Sequence, residues 1–189
     1  MNKLITLLLA LVLCPLTLSA QGKKYHGDGI DNVLEYVPLV ATFTLKGCGV
    51  ESASSWKRLA VDGAFSIGLT AGTTYLLKHT INDMRPDRTD NHGFPSGHTA
   101  VAFCGARMLD KEFRHVSPWI SVAGYTVATV TAVDRVRRNR HHWDDVVVGA
   151  AIGIAATEAG YWLGDKLTGE RSRWHLSTDG QTLSLRIDL

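Results

Sequence analysis

Cysteine is scarce in this chain, and so are the ligand patterns that usually accompany it. Of three cysteines in 189 residues, Cys14 lies in an N-terminal apolar run, which leaves Cys48 and Cys104 downstream. That is too few for a disulfide framework, so both read as free thiols. Apart from the adjacent pair His141-His142, no two-His or Cys/His spacing of the metal-ligand kind occurs, which agrees with a site that needs neither a metal nor another cofactor. Net charge is equally thin. A formal +2 at pH 7 supplies no general field toward nucleic acid, so any anion recognition must come from local clusters. No internal repeat or low-complexity tract breaks the chain, and its length suits one domain with a core.

Apolar segments are what the sequence does have. Lys3, the run Leu4 to Leu13 and the small-residue end Leu18-Ser19-Ala20 before Gln21 read as an export segment, either a cleaved signal peptide or an anchor helix. Leu18 is large for a cleavage signal, and Leu13 argues against a lipoprotein site at Cys14. Further segments follow at Val33 to Leu45, Leu59 to Leu77, Gly97 to Ala106, Ser117 to Val133 and Val146 to Gly164. Their lengths suit helices rather than strands, which predicts an all-α bundle of about five or six helices. Ser117 and Pro118 fit the cap and first turn of one of them. A short β-hairpin-like tail is expected at the C-terminus, where Asp179-Gly180 separates the alternating runs His175 to Thr178 and Thr182 to Ile187.

Two placements are open. Several segments fall short of the roughly 20 apolar residues of a span or carry a charge (Glu35, Asp62, Glu158), as a soluble periplasmic protein would. The distribution of basic residues favours a bundle in the bacterial inner membrane. Lys46, Lys57, Arg58, Lys111, Arg114, Lys166, Arg171 and Arg173 then fall in cytoplasmic loops and tail. The loops at Lys78 to Pro95 and Asp134 to Asp144 then share the periplasmic face.

Those two loops and one helix start hold the chemistry. Lys78 and Arg85 place an ammonium and a guanidinium around the first loop, suited to phosphate oxygens, although cations at a helix end also serve its dipole. Pro95-Ser96-Gly97-His98 stands directly before an apolar helix, where free N–H groups and a hydroxyl make an anion site. His98 in that first turn titrates near neutrality, as a proton donor should. In the third stretch, Asp134 to Asp145, His141 and Asp145 are four apart and share a helical face, as a nucleophile and its orienter would. An ordinary i,i+4 ion pair has the same spacing, and His142 with Asp145, or His141 with Asp144, could pair instead.

Together, Lys78-x6-Arg85-Pro86, Pro95-Ser96-Gly97-His98 and Arg135-x5-His141-x3-Asp145 resemble the type 2 phosphatidic acid phosphatase (PAP2) superfamily in order and spacing, over roughly residues 59 to 164. The resemblance selects His141 with Asp145. It implies a phosphohistidine intermediate on His141, Asp145 as orienter, and His98 as acid and then base. Lys78, Arg85, Ser96, Gly97 and Arg135 would bind the phosphate without a metal. The family's usual Ser before the third-motif arginine is Asp134 here, a carboxylate able to compete for Arg135. The implied domain pattern is an N-terminal segment 1–20, a phosphatase domain 21–170 and a tail 171–189. The expected partners are the membrane and a lipid phosphate, with lipid A phosphate ahead of undecaprenyl pyrophosphate and phosphatidylglycerol phosphate, and Arg137, Arg138 and Arg140 are candidates for the headgroup. A soluble acid phosphatase, a vanadate-dependent haloperoxidase and a non-catalytic lipid-binding protein are the alternatives.

Overall fold

The computed structural model describes residues 29–169 together with the backbone of 174–178 and 183–187. The expected export segment lies outside the described residues. The elements are α1 (Asp31–Leu34), α2 (Val37–Gly47), α3 (Trp56–Thr80), α4 (Gly97–Phe113), α5 (Pro118–Arg137), α6 (Trp143–Thr168), β1 (Trp174–Thr178) and β2 (Leu183–Ile187). The two strands pair antiparallel, with Trp174 opposite Ile187.

Helix boundaries follow local chemistry. The Ser55 side chain accepts from the Arg58 N–H at 3.1 Å and caps α3. Pro118 opens α5, where its missing N–H costs nothing, but Ser117 makes no side-chain cap. Gly169, at φ 69°, closes α6 in the left-handed conformation that glycine adopts without a Cβ clash. Two expected segments change shape. Val33 to Leu45 breaks at Glu35-Tyr36 into α1 and α2. The segment expected to stop at Ala106 continues to Phe113, because its charged end is paired rather than looped out. Buried Asp110 binds Arg107 and Arg114, and buried Glu112 accepts from Tyr161 Oη at 2.9 Å.

Helix α4 is the hub, packed against α2, α3, α5 and α6, while α3 and α6 form the other long contact. The apolar core is modest: one cluster joins Leu45, Leu109, Phe113 and Ile120, and another joins Leu59, Cys104, Met108 and Tyr161. Cys48 and Cys104 are free thiols. Close backbone approach supplies the remaining cohesion. A Cβ on Gly153 would lie 2.3 Å from the Ala100 carbonyl oxygen, and one on Gly160 would lie 2.6 Å from the Ser66 nitrogen. Small residues at such crossings let whole helices touch, as in membrane bundles. Buried Thr42, Thr70, Thr131 and Thr157 donate to carbonyls four residues back, so these four core hydroxyls are satisfied within their own helices.

Chain direction puts the α3 start, the α4 end and the α6 end at one pole, tied by Arg58 to Asp165 and by Glu112 to Ser54. The loops after α3 and α5 and the start of α4 meet at the opposite pole. Among the described helices, α6 is the one long and apolar enough to cross a membrane by length and composition.

Candidate active site

The polar loops converge because backbone bonds knit them together. Ser96, before α4, donates its N–H to the Asp145 carbonyl in the first turn of α6 at 3.0 Å. Gly93 N–H reaches the Asp83 carbonyl at 2.8 Å, and Asp87 N–H reaches the Asn139 carbonyl at 3.1 Å. The loop after α3 therefore folds back on itself and onto the α5–α6 turn.

His141 sits in that turn, 2% exposed. Its Nδ1 lies 2.7 Å from the Gly93 carbonyl oxygen, a group that can only accept, so Nδ1 carries the hydrogen. Nε2 then presents its lone pair, facing Arg85 Nη1 at 3.4 Å. Asp145 was the expected hydrogen-bond orienter. Its Oδ2 stands 3.5 Å from Nδ1 and accepts instead from the His142 N–H at 2.7 Å, as the first-turn acid of a helix does. The Gly93 carbonyl thus sets the tautomer, and the Asp145 carboxylate stands beside the ring without taking its hydrogen. Burial, followed by the charges of Arg135, Arg85 and Lys78, pushes the His141 pKa down to about 2, so the imidazole is neutral and nucleophilic.

The cations surround it. Arg85 is anchored through Nε to Asp90 Oδ1 at 2.7 Å and through Nη1 to the Arg140 carbonyl at 3.3 Å. Lys78 donates to the His92 carbonyl at 2.9 Å, and its stem passes over Gly97, where an added Cβ would lie 3.7 Å from Lys78 Cε. Arg135 is 1% exposed and ion-paired with the fully buried Asp31. The expected competitor, Asp134, binds Arg138 at 2.6 Å instead. Ser96 is wholly buried, with its hydroxyl 2.9 Å from Thr99 Oγ1, and it caps the Thr99 N–H of α4. His98 Nε2 lies 2.7 Å from Asn32 Oδ1 and 3.7 Å from Glu35 Oε1.

Two of the candidate headgroup arginines have structural partners. Arg140 Nη1 binds Asp87 Oδ2 at 2.9 Å, and Arg138 spans Asp134 and Asp31. Arg137 is exposed. Burial raises the Asp87 carboxyl, but its bonds to Thr89 and Arg140 outweigh that and hold its pKa near about 2.

Sequence reasoning missed four participants: the Gly93 carbonyl, Asp31, Asn32 and Glu35. A carbonyl leaves no residue-type signal. The other three lie in a short helix and its end, far from the motifs in sequence, and Asp31 to Arg135 spans 104 residues. Among the described residues, no group of three or more His, Cys, Asp or Glu side chains is arranged to hold a metal ion.

Residues 59–168 match the PAP2 superfamily. Over 165 residues the chain is 40% identical to a protein named lipid A 1-phosphatase from Porphyromonas gingivalis, an alignment covering 85% of this chain and 37% of that protein. The chain therefore spans little more than a third of this relative's length. The crystal structure of Aquifex aeolicus LpxE superposes with a TM-score of 0.52 at 21% identity, covering 82% of this chain and 93% of that one, a likeness of fold.

Proposed function

Because the chain belongs to the PAP2 superfamily, we propose that it is a phosphatase that moves a phosphoryl group from a membrane lipid to His141 and then to water, with lipid A phosphate as the favoured substrate. Nε2 of His141 attacks phosphorus in line, forming a P–N bond as the P–O bond to the lipid breaks. His98 gives its proton to the departing oxygen. It then takes a proton from the water that cleaves the P–N bond and releases phosphate. Lys78, Arg85 and Arg135, with the N–H groups opening α4, stabilise the charge that builds on the five-coordinate phosphorus. Ser96 contributes by capping the helix that carries these donors. The observation carrying this reading is the His141 tautomer, with the Nδ1 hydrogen on the Gly93 carbonyl and the Nε2 lone pair toward Arg85.

The name of the Porphyromonas gingivalis relative supports lipid A as substrate, ahead of undecaprenyl pyrophosphate and phosphatidylglycerol phosphate. The membrane setting is supported by two levels of exposed aromatic residues. Trp56 and Tyr75 on α3 are 55% and 61% exposed, and Trp143 and Trp162 on α6 are 60% and 56% exposed. Each pair is 19 residues apart, about 28 Å along a helix, which matches a hydrocarbon core bounded by aromatic belts. Between these levels the exposed α3 residues are Lys57, directly beside Trp56, and then Ala60, Ala64, Ile67, Gly68, Ala71, Gly72 and Thr73, so no exposed charge follows Lys57 until the second level. On α6, Glu158 is paired with Arg107 and Lys111. Lys57, Lys111, Arg114 and Lys166 gather at the pole away from the site, which supports a periplasmic position for the site by the positive-inside tendency. The phosphatase domain is proposed to occupy 21–170.

The test is phosphate release from purified lipid A by detergent-solubilised protein. Parent protein should release phosphate and accumulate an acid-labile, base-stable phosphoprotein on rapid quench, and H141A should do neither. Turnover by H141A would end the proposal. Release of the protein into the supernatant by alkaline carbonate would end its membrane part and favour a soluble acid phosphatase.

A further inference from the structure

The three catalytic motifs account for the surroundings of His141 but leave His98 without an orienting group of its own. The fold supplies one from outside the region that matches the family. Helix α1 and its C-cap bring Asn32 and Glu35 to the same ring nitrogen: Asn32 Oδ1 is 2.7 Å from His98 Nε2, and Glu35 Oε1 is 3.7 Å from it. Glu35 is 7% exposed, so water weakens its field little. One residue before Asn32, Asp31 binds Arg135. One short segment thus touches both the acid histidine and a phosphate-binding arginine.

We propose that Asn32 and Glu35 are positioning residues for His98, holding the hydrogen on Nε2 and leaving Nδ1 as the nitrogen that exchanges a proton with the leaving group and then with water. This rests on the phosphohistidine reading above. An amide oxygen can only accept, so the Asn32 contact fixes Nε2 as N–H and orients the ring. In the first step the Nδ1–H bond breaks and an O–H bond forms on the departing alkoxide. The P–O bond to the lipid breaks at the same time, and the P–N bond to His141 forms. In the second step the neutral Nδ1 takes a proton of the attacking water as its oxygen forms a P–O bond and the P–N bond breaks, which releases phosphate, frees His141 and restores the imidazolium.

The electrostatic need is specific. As the acid, His98 has to start as an imidazolium, and the like charges of Lys78 from α3 and Arg135 from α5 in the same site oppose that form. The opposing groups are Asp31 and Glu35. Asp31 acts on Arg135 and on His98 together, whereas Glu35 is the carboxylate that stands against the His98 ring itself, 3.7 Å from Nε2. The neighbouring Tyr36 phenol stays protonated, its pKa raised first by the Glu35 charge. Removing the Glu35 carboxylate therefore makes the acid lose its proton at lower pH.

The test compares kcat/KM on two monophosphates, decyl phosphate with a poor leaving group and 4-nitrophenyl phosphate with a good one. Protonation of the leaving group matters for the first and hardly for the second. E35Q and N32A should lose about a hundredfold on decyl phosphate and far less on 4-nitrophenyl phosphate. For E35Q the alkaline limb on decyl phosphate should move down by about one pH unit, and E35D should restore most of it. Equal losses on both substrates with an unmoved limb would reduce the two residues to scaffolding, and no loss on decyl phosphate would remove them from the mechanism; either result overturns the proposal. An inactive parent, or an active H141A, would instead defeat the underlying phosphatase reading.

Discussion

Substituting Asp31 by Asn tests whether Arg135 is held by a buried counter-charge. The two side chains are 0% and 1% exposed, so neither can turn to water when the other is neutralised. Breaking a buried ion pair from one side costs about 3–5 kcal/mol, because an uncompensated charge is left behind. D31N should therefore unfold at lower denaturant in detergent by at least the smaller of those values. The pH dependence has a definite sign. Burial raises the Asp31 carboxyl, but the Arg135 hydrogen bond and charge outweigh it and hold its pKa below the ordinary 3.8. A depressed carboxylate stabilises the fold above its unfolded pKa, and that contribution is lost as pH falls through the folded value. The gap between parent and D31N should be full at pH 7 and shrink below pH 3.8. Inorganic phosphate supplies the missing negative charge at the Arg135 guanidinium, so it should raise the stability of D31N more than that of the parent. A D31N protein as stable as the parent at pH 7, or one with no added phosphate protection, would refute this account of Arg135.

The His141 tautomer rests on Gly93, so D145N should lose about 10 to 100-fold in kcat, short of the roughly 10⁴-fold loss that follows a wrong tautomer in a serine-protease triad; a loss as large as that of H141A would make Asp145 the true orienter. Nitrogen-15 spectra should show His141 neutral with hydrogen on Nδ1 at pH 5, given a pKa pushed to about 2, and an imidazolium midpoint near 6.5 would contradict it. The same shift makes stability fall as pH drops below 6.5, because the unfolded chain takes up a proton that the folded site refuses. G160A should lower stability by about 1–3 kcal/mol, since its Cβ would meet the Ser66 nitrogen at 2.6 Å and force α3 from α6; unchanged unfolding would mean that the crossing is loose.

The helices were legible because their signals are local. Apolar runs, Pro118 and the polar loops mark the five long or medium helices, and the motif spacing marks His98 and His141. What escaped depends on contacts across the chain. The end of α4 read as a loop because Asp110 and Glu112 look like surface residues until Arg107, Arg114 and Tyr161 come to meet them. Asp145 read as the hydrogen-bond partner of His141 because four-residue spacing puts both on one face. That spacing says nothing about a carbonyl arriving from a loop 48 residues earlier. Asp134 read as the rival for Arg135 through adjacency in sequence, yet neighbours on a helix point about 100° apart, and Asp134 faces Arg138 four residues on.

A site that must hold a multiply charged anion gathers cations before the anion arrives, and their mutual repulsion has to be opposed within the protein. Here the opposing groups sit around the site: Asp90 on Arg85, Asp31 on Arg135, Asp87 on Arg140 and Asp134 on Arg138. Each carboxylate also restricts the rotamers of a long side chain, so less freedom remains to be lost on binding. The catalytic motifs alone show an array of positive charge, whereas the fold surrounds it with negative partners drawn from three separate segments. On the proposed function, a substrate phosphate would meet guanidinium groups already aimed and already partly neutralised. Binding should accordingly be moderate in strength and insensitive to ionic strength for the buried Arg135 contact, while exposed Arg137 supplies the part that salt screens. Measuring phosphate inhibition in R137A across a salt series separates the two: the variant should lose the salt-dependent component and keep the rest. If R137A instead kept the parent's full salt slope, the screened charge would have to lie among the paired arginines, and the carboxylates around them would not be neutralising them as argued.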